Sequence, residues 1–148
     1  MKIGVITPVY NDAANIGKCI DSVKEAVKRL SGTYEVIHYI LDDYSTDSTC
    51  DVLRSKGVDF IAWFEHIGVS EARNILLTRA EEDGCTNIAF LDSDDTWLPD
   101  HLKIVVEQSD LGDVVYTKPA AHMIGDTMAS RVSIPVPTTF IGKHLMHN

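Results

Sequence analysis

Residues 88–95 read IAFLDSDD, an apolar run that ends in three carboxylates within four residues, those of Asp92, Asp94 and Asp95. The apolar run has the length and composition of a buried strand. Carboxylates this close together repel one another unless a cation lies between them. The stretch therefore predicts a buried strand with a divalent-metal site at its carboxyl end.

Strand-like and helix-like segments alternate along the chain around this stretch. We predict strands at residues 2–9, 35–41, 58–64, 87–91 and 113–117. We predict helices at residues 16–30 and 70–83, a short helix that ends near residue 55, and a helix that begins at about Pro99. Such alternation with short connections predicts an α/β fold, with a mostly parallel sheet and helices on both faces. Beyond residue 118 the periodicity is weak, and residues 132–141 predict irregular or edge-strand structure. We therefore expect a core of residues 1–118 and an irregular segment of residues 119–148.

Polar clusters follow the first four predicted strands, at residues 7–12, 42–43, 66–70 and 92–95. In an open parallel sheet the carboxyl ends of the strands meet at one edge, where ligands bind. One composite site is therefore expected. Asp92 and Asp94 offer hard oxygen ligands to Mg²⁺ or Mn²⁺. Arg73 could reach a phosphate or a nucleobase, or form a salt bridge with a neighbouring aspartate.

Several other residues in or near these clusters have possible roles in the site, and most of them have a structural alternative. Asp42 or Asp43 could accept hydrogen bonds from a base or ribose, or cap the following turn. Tyr10 and Trp97 could pack in the core or serve as a platform for a sugar or base ring. Thr7 could line a nucleoside pocket.

Composition narrows the class of protein. The 13 basic and 22 acidic residues give a formal net charge of -9, which disfavours nucleic acid and anionic membranes as partners. No stretch approaches the roughly 20 apolar residues of a membrane span, and the N-terminus has the pattern of a strand. The three cysteines are widely spaced, which is typical of reduced, packed thiols. A cytoplasmic protein is expected.

Four segments, in order and spacing, resemble the signatures of family 2 glycosyltransferases of the GT-A fold. The segments are TPVYND at 7–12, DDYSTD at 42–47, GVSEARN at 68–74 and LDSDD at 91–95. Tyr44 stands where many members of that family have glycine, a departure that affects the turn.

The resemblance implies a nucleotide-diphospho-sugar donor, often UDP-linked. It also implies transfer of the sugar to an acceptor hydroxyl with inversion at the anomeric carbon. It implies Mn²⁺ or Mg²⁺ as cofactor. The metal ligands would be Asp94, Asp92 and Asp95. With the residues considered above, the expected nucleotide-binding set is Thr7, Pro8, Tyr10, Asp42, Asp43, Arg73, Asp92 and Ser93.

The sequence leaves the catalytic base and the acceptor unidentified. In similar inverting enzymes the base comes from an acceptor-binding half, which would follow Asn148. We therefore expect either a truncated transferase or a donor-binding module completed by a partner domain or a second copy. A further alternative is a haloacid-dehalogenase-like phosphatase, because residues 92–96 read DSDDT. Its first aspartate would be phosphorylated as a nucleophile.

Overall fold

The computed structural model describes the backbone of residues 1–108, 118–124, 127–134 and 141–143, and the side chains of residues 1–108. The strands are β1 (Lys2–Val9), β2 (Glu35–Asp42), β3 (Ile61–Ala62), β4 (Asn87–Phe90), β5 (Lys118–Ile124), β6 (Thr127–Ile134) and β7 (Ile141–Lys143). The helices are α1 (Ile16–Lys28), α2 (Thr49–Ser55), α3 (Val69–Glu82) and α4 (His101–Gln108).

The main sheet has β1 at its centre. Its strand order is β3-β2-β1-β4-β7, and β1 to β4 are mutually parallel, whereas β7 runs antiparallel to β4. The register pairs Lys2 with Glu35 and Val9 with Asp42, so β1 and β2 end side by side. Residues 3–9 are all buried because neighbours cover both edges and both faces of β1.

Two apolar cores cover the two faces of this sheet. One core packs Ile3 and Val5 of β1 against α1, α2 and α4, with Leu53 and Leu102 among its fully buried side chains. The other packs the alternate β1 residue Ile6 against α3. Because side chains alternate along a strand, β1 contributes to both cores. The predicted α/β class, with a mostly parallel sheet and helices on both faces, is confirmed.

Two segments differ from the predicted elements. The third strand pairs with β2 only at Ile61–Ala62, not over residues 58–64, and one further backbone hydrogen bond, from the N–H of Trp63 to the carbonyl of Asp42 at 2.8 Å, follows it. The C-terminal segment, predicted to be irregular, with irregular or edge-strand structure at residues 132–141, contains the β5–β6 hairpin and the edge strand β7. The strand predicted at 113–117 lies outside the described residues.

Among the described residues, no helix has both the length and the apolar character that a bilayer span requires.

Candidate functional site

The carboxyl ends of β1 to β4 border one cleft of about 330 Å³. Four connections between strands and helices contribute to its walls. The first and last lining residues in the sequence, Pro8 and Asp94, are 86 positions apart. The residues that line the cleft are Pro8, Val9, Tyr10, Asp43, His66, Gly68, Val69, Asp92, Ser93 and Asp94.

Asp43 joins the end of β2 to the start of α3. Its carboxylate accepts hydrogen bonds from the backbone N–H groups of Ile67 and Gly68, both at 2.8 Å. The Nδ1 atom of His66 lies 2.9 Å from the same carboxylate. With a side chain only 3% exposed, Asp43 fixes the loop at the positive end of the α3 dipole, where a carboxylate is favourable.

Tyr10 and His66 form an aromatic wall of the cleft. Their ring centroids are 4.2 Å apart with an interplanar angle of 31°, and Tyr10 is 46% exposed. Tyr10 is therefore not a core residue. An exposed ring that is already held on one side offers a rigid surface to a planar ligand.

Asn11 connects the loops after β1 and β2. Its Oδ1 atom accepts hydrogen bonds from the backbone N–H groups of Thr46 and Asp47 at 2.7 and 3.2 Å. Its own N–H donates to the hydroxyl of Ser45 at 2.8 Å. Asn11 adopts a φ of 49°, a conformation that asparagine tolerates better than most residues.

The acidic stretch carries one ion pair with α3. A terminal nitrogen of Arg73 lies 2.5 Å from Oδ1 of Asp92, and the guanidinium is 6.0 Å from the ring centroid of Phe90. Ser93 donates to Oδ2 of Asp12 at 2.7 Å. Within residues 1–108 the exposed carboxylate of Asp94 has no hydrogen-bond or ion-pair partner. Among the described residues, no three His, Cys, Asp or Glu side chains form a ready metal cluster.

Four of the predicted site residues do not line the cleft: Thr7, Asp42, Arg73 and Asp95. Thr7 is fully buried, and its hydroxyl lies 2.8 Å from Nε2 of His38. Burial holds the pKa of His38 at about 4. That histidine is therefore neutral near pH 7.

Asp42 is likewise turned away from the cleft. Its Oδ2 atom accepts from the backbone N–H of Ser45 and from the thiol of Cys50, at 3.3 and 3.1 Å, whereas Oδ1 is buried with no partner among the described residues. Burial and the neighbouring Asp42 raise the pKa of Cys50 to about 11. Asp42 thus caps the turn after β2, one of its two predicted roles.

Trp97 belongs to the core. It is 7% exposed and stacks on His101 with ring centroids 4.9 Å apart. Its indole is therefore not a platform for a ligand. No role was predicted for His66 and Asp12 individually, because their positions depend on contacts across loops that a linear pattern does not contain.

A family model described as glycosyl transferase family 2 matches residues 4–145. TuaG of Bacillus subtilis (strain 168), a glycosyltransferase named for teichuronic acid biosynthesis, is 36% identical over 110 residues, which cover 71% of this chain and 40% of TuaG. The structure of S. aureus TarS 1–349 in complex with UDP-GlcNAc matches with a TM-score of 0.62 and 28% identity, covering 75% of this chain and 32% of that one.

The mannosyltransferase PcManGT of Pyrobaculum calidifontis, in complex with GDP-Man and Mn²⁺, shares the fold at a TM-score of 0.61 and 22% identity, over 76% of this chain and 33% of that one. The phosphatase alternative is wrong, because the family match extends over all four signature segments and not only over residues 92–96. As the four segments predict, this chain has the GT-A fold and belongs to glycosyl transferase family 2.

Proposed function

We propose that the cleft binds a nucleotide-diphospho-sugar, UDP-linked, and that the protein transfers the sugar to an acceptor hydroxyl with inversion. The observation that carries this proposal is the convergence of four loops on a cleft whose size suits a small ligand. The UDP and UDP-GlcNAc complexes of S. aureus TarS support the choice of nucleotide. Six predicted residues line the cleft: Pro8, Tyr10, Asp43, Asp92, Ser93 and Asp94.

In this proposal the aromatic wall holds the nucleobase. Tyr10 offers the exposed ring, and His66, which also lines the cleft, packs against it. The Asp43 carboxylate retains acceptor capacity after its two backbone hydrogen bonds, since each carboxylate oxygen has two lone pairs. A base or ribose donor at this wall would therefore find an acceptor that is already fixed in place.

The donor set fits Mn²⁺ or Mg²⁺, with Asp94 as the first ligand and Asp92 as the second. These ions are commonly held by one or two carboxylates and complete their shells with water and phosphate oxygens, so a three-residue cluster is not required. When bound, the ion would neutralise the diphosphate and stabilise it as leaving group. Asp95 does not line the cleft, which leaves it outside this ligand set.

Arg73 contributes positive charge at the same end of the cleft. In the structure it is paired with Asp92. A diphosphate or a metal would compete for this pair, so that Arg73 could turn to a phosphate oxygen while Asp92 turns to the metal. A guanidinium suits either a carboxylate or a phosphate, because its planar set of N–H donors matches the oxygens of both groups.

The second candidate is a donor-binding module completed by a partner domain or a second copy. The observation in its favour is that two of the three carboxylates lining the cleft already have partners: Asp43 holds backbone amides, and Asp92 pairs with Arg73. The third, Asp94, is the proposed metal ligand. Within the described residues of the cleft, none is left over to deprotonate an acceptor.

The test is calorimetry with UDP, GDP and dTDP, each with and without Mn²⁺. We expect UDP to bind, and to bind at least tenfold more weakly without the metal. Asp94→Ala should remove the metal dependence, whereas Asp100→Ala, which removes an exposed acid six residues away, should not. Absence of binding by all three nucleotides would contradict the proposal. Release of sugar or UDP from UDP-sugars by the wild-type protein distinguishes the transferase from the module.

The domain division and the location belong to the same proposal. We assign nucleotide-sugar binding to residues 1–118 and the start of an acceptor side to residues 119–148. The free thiols of Cys19 and Cys85, both buried, support a reducing compartment such as the cytoplasm.

A further inference from the structure

We infer that Asp12 is a positioning residue for the acidic loop, residues 92–95, and this inference rests on the proposed function. Oδ2 of Asp12 accepts a hydrogen bond of 2.7 Å from the hydroxyl of Ser93. Ser93 stands between Asp92 and Asp94, and all three line the cleft. Fixing the middle residue of such a loop fixes the directions in which its two neighbours present their carboxylates.

Asp12 is itself held on several sides. Its Oδ1 atom accepts from the side-chain amide of Asn15 at 2.7 Å, and its backbone carbonyl accepts from the N–H of Ile16 at 3.1 Å. Its own N–H donates to the hydroxyl of Thr49, at the start of α2, at 2.9 Å. Thr49 is fully buried. Asp12 is therefore anchored to the first turns of two helices and can transmit that rigidity to Ser93.

The other described contacts of the acidic loop are weaker or serve another purpose. The thiol of Cys19 lies 3.7 Å from the carbonyl of Asp92, a long contact even for sulfur. The N–H of Asp95 bonds to the same carbonyl at 3.1 Å, but this bond lies within the loop. Under the proposed function, the ion pair of Asp92 with Arg73 opens when the nucleotide and metal bind. The Ser93–Asp12 bond does not compete with the ligand in this way, so it can persist in the complex.

The negative charge of Asp12 strengthens its hydrogen bond with Ser93. A hydroxyl that donates to a carboxylate forms a stronger bond than one that donates to a neutral acceptor. Residues that orient metal ligands from outside commonly change metal affinity by 10- to 100-fold when they are removed. We expect Asp12 to act at the lower end of this range, because the proposed metal would also be coordinated by phosphate oxygens of the nucleotide, which Asp12 does not orient.

The experiment is a double-mutant cycle on affinity for UDP at saturating Mn²⁺, measured by calorimetry. Asp12→Ala should weaken binding about tenfold in the wild-type background. In the Ser93→Ala background it should change affinity less than twofold, because the shared hydrogen bond is already absent. Asp12→Asn should restore affinity to within about threefold, since an amide can donate to the Ser93 hydroxyl. Asp51→Ala, which removes an exposed acid of α2, is the control and should be silent.

Equal weakening by Asp12→Ala in both backgrounds, or no weakening in either, would overturn the inference. A second readout needs no ligand. Amide hydrogen exchange of residues 92–96 should speed up in Asp12→Ala and Ser93→Ala by more than exchange in β1, which reports any change in global stability. Unchanged exchange there overturns the positioning role. If exchange rises as expected but the wild-type protein binds no UDP, the proposed function fails and the positioning role stands.

Discussion

Replacing Asp43 by asparagine tests whether this carboxylate clamps the loop before α3. The two backbone N–H donors of Ile67 and Gly68 each have one carboxylate oxygen at 2.8 Å. In Asp43→Asn one of these donors faces an amide NH₂ group, and the other loses the charge on its acceptor. A hydrogen bond to a charged group contributes about 1.5–3 kcal/mol, and a buried N–H left unpaired costs about as much. We expect a loss of about 3 kcal/mol in the free energy of unfolding.

Urea denaturation at pH 7 measures this loss. For a slope of about 2 kcal/mol/M, the midpoint should fall by about 1.5 M with the slope unchanged. Asp59→Asn is the matched control, because Asp59 is exposed and has no hydrogen bond or ion pair within residues 1–108. A midpoint for Asp43→Asn within 0.3 M of the control, a margin of about 0.6 kcal/mol at that slope, would refute the clamp. The Asp43 contacts would then be incidental to stability.

Three further substitutions or conditions report on other parts of the fold. Tyr44 has a φ of 65° and is 53% exposed, so Tyr44→Gly should relieve backbone strain and stabilise the protein by about 0.5–1 kcal/mol in urea denaturation; a lower midpoint would contradict this. A Cβ on Gly4 would lie 3.1 Å from a ring carbon of Tyr39, so Gly4→Ala should destabilise by about 1–3 kcal/mol, seen as a lower thermal midpoint. Burial lowers the pKa of His38 and of His101 to about 4; both stay neutral in the native state while the unfolded chain takes up protons below about pH 6.5. The contribution of each histidine to stability should therefore be complete well above pH 6.5 and fall by about 2.5 kcal/mol by pH 4.5. His101→Phe should make the fall shallower in urea titrations at pH 7.5, 5.5 and 4.5, and an identical fall would exclude His101 as a cause.

The sequence predicts the helices and strands whose pattern of apolar residues lies within one continuous segment. The apolar spacing of α1 and the continuous apolar runs of β1, β2 and β4 are confirmed within one or two residues. The β5–β6 hairpin was missed, although Gly125-Asp126, between its strands, is a dipeptide found in tight hairpin turns. Neither strand alternates clearly between apolar and polar residues. The antiparallel pairing of β7 with β4 joins residues more than 50 positions apart and has no local signal.

The predicted meeting of four loops follows from topology alone, since parallel strands must end at one edge. What each side chain does at that edge does not follow from topology. Thr7 and Asp42 lie beside cleft residues in sequence, yet strand alternation and the tight turn after β2 direct them away from the cleft. The contacts of Asp43 and Asp12 depend on the exact approach of another loop. A linear pattern does not specify that distance.

The same contacts change the account of the clustered carboxylates. A cluster of aspartates suggested that a cation is needed to relieve their mutual repulsion. In the folded protein one member of this cluster, Asp92, pairs with Arg73. Two other carboxylates at this edge of the sheet also have partners: Asp43 accepts hydrogen bonds from two backbone N–H groups, and Asp12 accepts hydrogen bonds from Ser93 and Asn15. The fold can therefore assemble this edge without metal. The exposed Asp94 carboxylate is then available for a cation that arrives with an anionic ligand, which is what a protein of net charge -9 needs in order to bind a diphosphate.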